Sequence, residues 1–552
     1  MEYKREYVKP NVEDYEKTKS EFRLDVPEYY NFSFDVMDKW AECRAKLALL
    51  AVDQNGENPR YFTFWDLKKL SNKFANALRG LGVQRGERAF VMLPRVPEWY
   101  VALLGMIRLS VIPCPATVLC TERDLDYRIN RAEMTIVLTD MDNAPKVDNA
   151  MEKCPGIKHK ILVNGELDGW TSYDEIVGKA SPHLSREEVE PTRHDDPMML
   201  FFSSGTVKYP KMVIHNHDYA LAHYVTAWMC HDSKSRDLDW TLTDTGWAKS
   251  SWATWGQWIC GSTIFGPDIR GKFDPALTLH LLERYGITVF CAPPTAIRFM
   301  IQEDLSSYDL RHLRHVTSAG EPLNPEVMKI WKDATGLDIY DFYGQTETTA
   351  VIGNVRGMDI KPGSMGKPSF NYDVAIVDDN GKELLAGDVG HIAIRVKPYP
   401  VGLFKEYWKD PEDMQAAFNG DWYYTGDKAY KDEDGYFWFV GRADDVIISS
   451  GYRIGPFEVE SALIEHPAVL ESAVVASPDP MRGEVVKAFV ILAPGFEPGD
   501  ELTRELQDHV KKATAPYKYP RKIEYVDELP KTISGKIKRG ELKKREWKGY
   551  KG

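Results

Sequence analysis

The chain has 552 residues, of which 43% are apolar and 12% aromatic. This length exceeds what one hydrophobic core normally holds, and the composition excludes global disorder, so we expect two or more folded domains. The formal net charge of −13 argues against a nucleic-acid partner, because phosphate backbones attract basic surfaces.

Two features of the sequence bear on its cellular compartment. The seven cysteines are scattered without CxxC spacing, which favours reduced thiols over a disulfide framework or a zinc site. The N-terminus has no apolar h-region of the kind that directs secretion. The most apolar stretch, residues 101–120, is interrupted by Arg108, Pro113 and Pro115. We therefore expect a cytoplasmic protein that does not cross a membrane.

The first part of the chain alternates predicted helices and strands. Thr63 and Asp66 form a capping pattern that opens a helix. Its apolar positions recur at spacings of three and four: Leu67, Leu70, Phe74, Leu78 and Leu81. A buried strand is predicted at 89–93 and a second helix at 97–109, and the alternation returns at 287–294 and 315–323. This pattern indicates parallel α/β sheets, which bind ligands at the carboxyl ends of their strands.

The sequence changes character after about residue 364. Apolar alternation flanks Asn380-Gly381, a strong hairpin signal, and another strand pattern follows at 391–396. We expect a β-barrel-like subdomain at about 364–440 within an N-terminal domain of residues 1–443. Residues 444–552 have the patterns of a small, mobile α+β domain. The predicted fold class is therefore α/β, with parallel sheets, a small β subdomain and a separate C-terminal domain.

The segment FSSGTVKYPK, residues 202–211, has the composition of a polyphosphate-binding loop. Small residues allow backbone N–H groups to surround an anion, and Lys211 adds a positive charge. The hydroxyl and glycine positions that contribute are Ser203, Ser204, Gly205 and Thr206. The loop is not of the Walker A type, because no GxxxxGK[ST] string occurs in the chain.

Four further motifs follow in series: YGQTE at 343–347, TGD at 425–427, GRADD at 441–445 and PKTISGK at 530–536. Singly, each has an ordinary explanation: Glu347 belongs to a helix cap, Asp427 to a turn, and Lys536 is a solvated lysine. Together the five motifs resemble the adenylate-forming superfamily of acyl-CoA synthetases, adenylation domains of peptide synthetases and luciferases. The resemblance runs from about residue 61 to 538 and is greatest to short- and medium-chain acyl-CoA synthetases. Val207 and Lys208 depart from it, because the family has Ser or Thr followed by Gly there.

The resemblance implies an ATP site with one catalytic lysine and one metal ligand. Lys536 is expected to meet the substrate carboxylate and the α-phosphate, where a cation offsets the repulsion between two anions. Glu347 is expected to bind Mg²⁺ on the phosphates, Tyr343 to stack on adenine and Asp427 to accept the ribose hydroxyls. The expected ATP contacts are Ser203, Ser204, Gly205, Thr206, Lys211, Gly320, Glu321, Pro322, Asp341, Phe342, Tyr343, Gln345, Thr346, Asp427, Arg442 and Arg453.

The resemblance also places an acyl site at Trp247, Lys249, Trp252 and Gly344. The tryptophans of residues 240–258 have an alternative explanation as core residues. Acetyl-CoA synthetases have a tryptophan at the place of Gly344, so this glycine is expected to leave the pocket floor open to longer acids. The HNH string at 215–217 lacks a third ligand and is expected to flank the active-site entrance instead of binding a metal.

The implied activity is that of an acid–thiol ligase. It would form acyl-AMP and pyrophosphate from ATP and a short, medium or branched-chain carboxylic acid, and then acyl-CoA and AMP. Rotation about Asp444 would withdraw Lys536 and bring the loop around Gly451 to CoA. Mg²⁺ is the expected cofactor, ATP and CoA are the expected cosubstrates, and a homo-oligomer is possible. Two alternatives stay open: an enzyme that loads a carrier-protein thiol, and a catalytically silent nucleotide or acyl-AMP binder.

Overall fold

The computed structural model describes residues 7–203, 210–449, 452–480, 482–532 and 536–548, with Arg453 described by its backbone alone. Seventeen α-helices lie in these segments. Their bounds are α1 Tyr15–Glu21, α2 Asp38–Trp40, α3 Phe64–Gly80, α4 Pro97–Arg108, α5 Glu122–Arg131, α6 Ala144–Met151, α7 Tyr173–Lys179, α8 Asp218–Val225, α9 Lys249–Trp252, α10 Trp255–Ile259, α11 Pro275–Tyr285, α12 Pro294–Met300, α13 Pro325–Thr335, α14 Pro411–Ala417, α15 Pro456–Ile464, α16 Asp500–Ala513 and α17 Arg539–Trp547.

Two sheets with parallel cores build the larger part of the protein. The first has the strand order β4-β3-β5-β6-β7, and the second has the order β16-β15-β14-β13-β12-β10-β11-β1-β2. The bounds of the first are β3 Arg88–Met92, β4 Ile112–Pro115, β5 Ile136–Asp140, β6 His159–Val163 and β7 Thr171–Ser172. Those of the second are β1 Leu47–Val52, β2 Arg60–Thr63, β10 Leu238–Thr241, β11 Thr263–Pro267, β12 Val289–Ala292, β13 His315–Ala319, β14 Ile339–Gly344, β15 Ala350–Gly353 and β16 Lys367–Pro368.

Two antiparallel sheets complete this part. A three-stranded sheet has the order β19-β9-β8, and a five-stranded sheet contains β17, β18 and β20–β22. Their bounds are β8 Pro197–Phe202, β9 Met212–Asn216, β17 Val374–Val377, β18 Gly390–Arg395, β19 Glu406–Tyr407, β20 Phe418–Asn419, β21 Trp422–Lys431 and β22 Phe437–Arg442. The Asn380-Gly381 turn forms with Gly381 at φ 81°. The Val377–Glu383 bridge closes this turn, together with hydrogen bonds from the Leu384 N–H to the Ile376 carbonyl oxygen and from the Asp378 N–H to the Lys382 carbonyl oxygen, both at 2.9 Å. Along its length β17 pairs with β18.

The C-terminal residues form a separate α/β unit with its own apolar core. Its sheet has the order β24-β23-β26-β25, and β27 pairs with β26. The strands are β23 Ile447–Ser449, β24 Tyr452–Ile454, β25 Val469–Asp479, β26 Gly483–Leu492 and β27 Lys522–Tyr525. Leu463 on α15 and Leu506 on α16 pack with Val474 and Val490 against one face of this sheet. The predicted fold class is confirmed, whereas the domain boundary at residues 443 and 444 stays a prediction.

Local sequence explains the elements that position the site. Thr63 and Asp66 form the predicted capping box at the start of α3. The strands β13 and β14 are buried and parallel. The segment SAGEP, residues 318–322, and the YGQTE motif begin at their carboxyl ends. Among the helices of the described segments, none combines the length and apolar character that a membrane crossing requires.

Candidate active site

The base of the predicted phosphate loop lies between β8 and β9. The backbone N–H of Ser203 donates to the Lys211 carbonyl oxygen at 2.9 Å, and the Lys211 N–H donates to Ser203 Oγ at 3.2 Å. These two bonds close the loop at its ends. The intervening positions that we predicted to bind phosphate, Ser204, Gly205 and Thr206, lie outside the described residues, as do Val207 and Lys208.

The Lys211 ammonium group points along a row of residues from the three-stranded sheet and α14. Its Nζ lies 3.1 Å from Asp413 Oδ2 and 4.4 Å from the centroid of the Tyr407 ring. The Tyr407 hydroxyl in turn donates to Glu347 Oε1 at 2.8 Å. Tyr407 therefore connects the phosphate-loop lysine to the expected metal ligand. Sequence analysis missed Tyr407 because no motif of the five contains it.

Glu347 is a largely buried carboxylate that faces positive charge. Burial raises its pKa above the ordinary value, while the Tyr407 hydrogen bond and the charges of Lys211 and Arg442 act in the opposite direction. The Phe404 N–H fixes the backbone by donating to the Glu347 carbonyl oxygen at 2.8 Å. The carboxylate is thus held in place by one hydrogen bond, and a hard oxygen ligand of this kind suits Mg²⁺ that is bound chiefly to phosphates.

The position of the two histidines of the HNH string differs from our prediction. His215 and His217 are both fully buried, so neither flanks an entrance. The His215 ring contacts the Thr346 carbonyl oxygen through Nε2 at 2.7 Å and stacks on Tyr219 at a centroid distance of 3.7 Å. Burial lowers the pKa of His215 to about 3, so the ring is neutral at physiological pH. His215 thus supports the backbone of the YGQTE loop. We predicted a position at the entrance because the HNH string is polar, but β9 is an interior strand.

Asp427 on β21 is surrounded by hydrogen-bond donors. Its Oδ2 accepts from the Tyr343 hydroxyl at 2.6 Å and from Gln345 Nε2 at 2.9 Å. Arg442 Nη1 lies 3.4 Å from Oδ1. Burial raises the pKa of Tyr343, and the Asp427 charge raises it further, so the phenol stays protonated and donates. These contacts orient Asp427, and its Oδ2 is occupied by hydrogen bonds within the protein.

The side chains of two predicted ATP ligands, Gln345 and Phe342, are occupied by contacts within the protein. Gln345 also donates to the Thr425 carbonyl oxygen at 2.8 Å and accepts from the Tyr423 hydroxyl at 3.1 Å. Its side chain therefore orients Asp427 and is fully engaged. Phe342 is only 2% exposed and stacks against Trp252, so its side chain belongs to the core and not to a nucleotide surface.

The SAGEP segment turns sharply at the end of β13. Gly320 has φ 104°, a left-handed conformation that disfavours other residues, and a Cβ built there would meet nothing within 4 Å. Glu321 Oε2 accepts from the Thr295 hydroxyl at 2.6 Å, and Pro322 is half-buried. Asp341 on the neighbouring strand is 6% exposed, and burial raises its pKa well above the ordinary value.

Lys536 reaches the same cleft from the C-terminal unit. Protein atoms crowd its ammonium group and lower its pKa from 10.5, although the side chain stays accessible to water. The carboxylates of Glu321 and Asp427 raise this pKa, whereas Arg442 and Lys249 lower it. The charges that act on Lys536 thus include residues of the SAGEP, TGD and GRADD motifs, which lie 94 to 215 positions earlier in the chain.

Of the four predicted acyl residues, Trp252 and Gly344 contact each other, and Lys249 contacts the end of β13. Lys249 Nζ donates to the Ala319 carbonyl oxygen at 2.9 Å, and Trp247 is half-buried. Trp252 fills the space over Gly344: a Cβ at residue 344 would lie 2.4 Å from Trp252 Cη2 and 2.5 Å from the Thr349 carbonyl oxygen. Our expectation that Gly344 leaves the floor open is therefore wrong in its detail. The missing side chain makes room for an indole that comes from residue 252.

The structure describes only part of the residues predicted for the hinge and for CoA binding. Asp444 follows β22, and its carbonyl oxygen accepts from Lys543 Nζ at 3.2 Å. Arg453 pairs in β24 with Ile448, but its side chain lies outside the described residues, as does the whole of Gly451.

The comparisons with known proteins agree with this geometry. The family described as AMP-binding enzyme matches residues 38–408, and its C-terminal domain matches residues 458–536. The chain belongs to this family. The predicted adenylate-forming resemblance is thereby confirmed.

Curated relatives and solved structures cover nearly the whole chain. It is 46% identical to the Mus musculus acyl-coenzyme A synthetase ACSM3, mitochondrial, over 97% of this chain and 94% of that protein. The human counterpart from Homo sapiens is 47% identical over 98% and 93%. A crystal structure of the anthranilate CoA ligase AuaEII with anthranoyl-AMP has a TM-score of 0.87 at 31% identity, covering 95% of this chain and 99% of that one.

The relatives overturn one prediction. Both mammalian synthetases are mitochondrial proteins, which points to mitochondrial and not cytoplasmic localisation. We based the cytoplasmic prediction on cysteine spacing and on the missing secretory signal. Neither observation distinguishes compartments that both keep thiols reduced.

Proposed function

We propose that the protein is an AMP-forming acyl-CoA synthetase that activates a short, medium or branched-chain carboxylic acid. The observation that carries the proposal is the Asp427 carboxylate, which Tyr343 and Gln345 hold beside Arg442, with Lys536 close enough for the charges of Asp427 and Glu321 to raise its pKa. Relatives named acyl-coenzyme A synthetases along nearly the full chain support the same activity.

The first half-reaction joins the acid to AMP. A carboxylate oxygen attacks the α-phosphorus of ATP, the bond to the β-phosphate oxygen breaks, and pyrophosphate leaves with its electrons. Both reactants are anionic, so the Lys536 ammonium stabilises the charge that develops between them. Asp427, held by Tyr343 and Gln345, would accept ribose hydroxyls through its second oxygen.

Mg²⁺ is the cofactor that we propose for this step. Among the described residues, no group of three or more His, Cys, Asp or Glu side chains could hold a metal ion. A metal that arrives on the ATP phosphates needs few protein ligands, and Glu347 provides one oriented carboxylate. When bound, Mg²⁺ would neutralise phosphate charge and orient the leaving group. A homo-oligomeric state stays a prediction.

The second half-reaction transfers the acyl group to CoA. The thiolate sulfur attacks the acyl carbon, the bond to the AMP oxygen breaks, and the thiol proton goes to solvent. Rotation of the C-terminal unit about Asp444 would remove Lys536 before this step. The Trp252 indole beside Gly344 would close the acyl pocket and limit chain length.

A pyrophosphate-release assay across carboxylic acids of graded length and branching tests the proposal, with thioester measured in the presence of CoA. We expect acid-dependent pyrophosphate release and acyl-CoA formation, and loss of the first in Lys536→Ala. Lys538→Ala is the matched control, because Lys538 lies on the same segment and is exposed. Pyrophosphate release without acyl-CoA would favour a carrier-loading enzyme, and no release with any acid would favour a silent binder.

A further inference from the structure

Lys536 belongs to a segment, here called the arm, whose described residues 530–532 and 536–538 are joined by hydrogen bonds. The Thr532 N–H donates to the Lys536 carbonyl oxygen at 2.7 Å, and the Lys536 N–H donates to Thr532 Oγ1 at 3.1 Å. The Lys538 N–H donates to the Pro530 carbonyl oxygen at 2.8 Å. These bonds hold the two described sides of the arm together, but they do not fix where the arm points. Its direction depends on how its base is attached to the C-terminal unit.

Arg539 attaches this base. It lies three residues after Lys536, and its Nη2 and Nε contact Glu460 Oε2 at 2.6 Å and Oε1 at 3.1 Å. Glu460 lies on α15 and is 5% exposed. Its Oε1 also accepts from the Val474 N–H of β25 at 2.7 Å. A two-pronged contact of this kind restrains direction as well as distance, because two donors of the planar guanidinium are engaged at once.

We propose that Arg539 is a positioning residue for Lys536, and that its paired contact with Glu460 sets the direction in which the catalytic arm enters the cleft. The inference rests on the proposed function, because it concerns the half-reaction that Lys536 serves. Arg539 itself need not touch the substrate. Its effect would pass through Ile537 and Lys538, the two residues that separate it from the lysine.

The surroundings of Arg539 support this role. Burial lowers the pKa of its guanidinium, but the carboxylates of Glu460, Asp445 and Glu321 outweigh this effect and raise it. Asp445 follows the expected hinge residue, and Glu321 belongs to the SAGEP segment on the other side of the cleft. Arg539 is therefore permanently charged. In this orientation of the C-terminal unit, which places Lys536 in the cleft, Arg539 faces acidic groups from both sides of the domain junction.

A neutral pair tests the proposal without leaving a buried charge. Truncating Arg539 alone would strand Glu460 and destabilise the unit, whereas the double variant Arg539→Gln/Glu460→Gln removes both charges and keeps an acceptor for Val474. The matched control is Lys518→Gln/Glu458→Gln, because Glu458 of that ion pair also lies on α15 but the pair does not involve the arm. Arg539→Lys keeps the charge and loses the two-pronged geometry.

We expect the Arg539/Glu460 variant to lower acid-dependent pyrophosphate release by about 10- to 100-fold, the loss associated with a misplacement of about 1 Å. Conversion of supplied acyl-AMP and CoA to thioester should stay within about twofold of wild type, and Arg539→Lys should recover part of the loss. Pyrophosphate release close to wild type, or an equal loss in both half-reactions with a lowered melting temperature, would overturn the proposal.

The same substitutions in a Lys536→Ala background separate this inference from the proposed function. If Arg539 acts through Lys536, they should cause no further loss of pyrophosphate release there, because the effects of residues that act as a unit do not add. A further tenfold loss would show that Arg539 acts independently and would overturn the inference alone. Full activity of Lys536→Ala itself would instead contradict the proposed role of the lysine.

Discussion

Gly344→Ala provides the sharpest test of how the acyl pocket is closed. The added methyl carbon would lie 2.4 Å from Trp252 Cη2 and 2.5 Å from the Thr349 carbonyl oxygen. Carbon atoms in contact normally lie about 3.5–4.0 Å apart, so both neighbours must move by about 1 Å. The indole cannot move freely, because it is 5% exposed and stacks on Phe342 at a centroid distance of 5.7 Å.

Overpacking of this kind costs about 1–3 kcal/mol. The entropy of unfolding is about 2.1 cal/mol/K per residue, which gives about 0.9 kcal/mol/K for an N-terminal domain of about 440 residues. We therefore expect Gly344→Ala to lower the melting temperature by about 1–3 °C. Gly178→Ala is the control, because a Cβ on this helical glycine would meet nothing within 4 Å.

The indole can also be removed directly. Trp252→Ala should favour longer acids, because each additional buried methylene contributes about 0.8 kcal/mol, or about fourfold in kcat/KM. In that background Gly344→Ala loses one of its two clashes, so its effect on melting should shrink. Melting curves and an acid-length profile measure both effects. A Gly344→Ala variant that melts like wild type with an unchanged profile would show that Trp252 does not occupy this space.

Three further outcomes follow from the site. Tyr407→Phe removes the hydrogen bond to the charged Glu347 acceptor, which is worth about 1.5–3 kcal/mol. The KM for Mg·ATP should therefore rise about tenfold or more. If the dependence of activity on Mg²⁺ concentration is unchanged, the role given to Glu347 is contradicted. Asp444→Pro fixes φ at the expected hinge, so one half-reaction should survive while the other fails, and wild-type rates in both would place the hinge elsewhere. The pKa of Lys536 is lowered from 10.5 and its protonated form is the one required, so adenylation should fall as pH rises through that lowered value. Lys536→Arg should move this decline to higher pH, and a pH profile of pyrophosphate release that is the same for both side chains would refute the assignment.

Much of the fold could be predicted from local patterns. The helix after Thr63, the strand at 89–93 and the parallel strands before SAGEP and YGQTE all follow from apolar spacing and capping residues. The Asn380-Gly381 turn was also predicted, but the longer pairing of β17 with β18 was not. The turn residues specify a tight reversal, whereas the strand partner depends on which apolar face finds a complementary surface farther along the chain.

The site could be predicted only as far as its motifs extend. Three residues that the motifs do not contain orient the predicted ones: Tyr407 orients Glu347, His215 orients Thr346, and Glu460 orients Arg539. Each pair is 60 or more positions apart in the chain, so no spacing signal indicated it. Gly344 shows the same limit. A glycine in a motif indicates that space is needed, but only tertiary packing decides whether a ligand or an indole occupies it.

The proposed function also suggests why Lys536 would be carried on a separate unit. Burial is the largest cause that lowers the pKa of Lys536; the carboxylates of Glu321 and Asp427 raise this pKa, and the smaller effects of Arg442 and Lys249 lower it. Burial disfavours the charged ammonium group, so the negative charge of a bound polyphosphate would favour the inserted lysine. Once pyrophosphate had left, that attraction would weaken while the cost of burying the charge remained. The same burial would therefore favour withdrawal of Lys536 after adenylation, which a lysine fixed to the larger part of the protein could not accomplish.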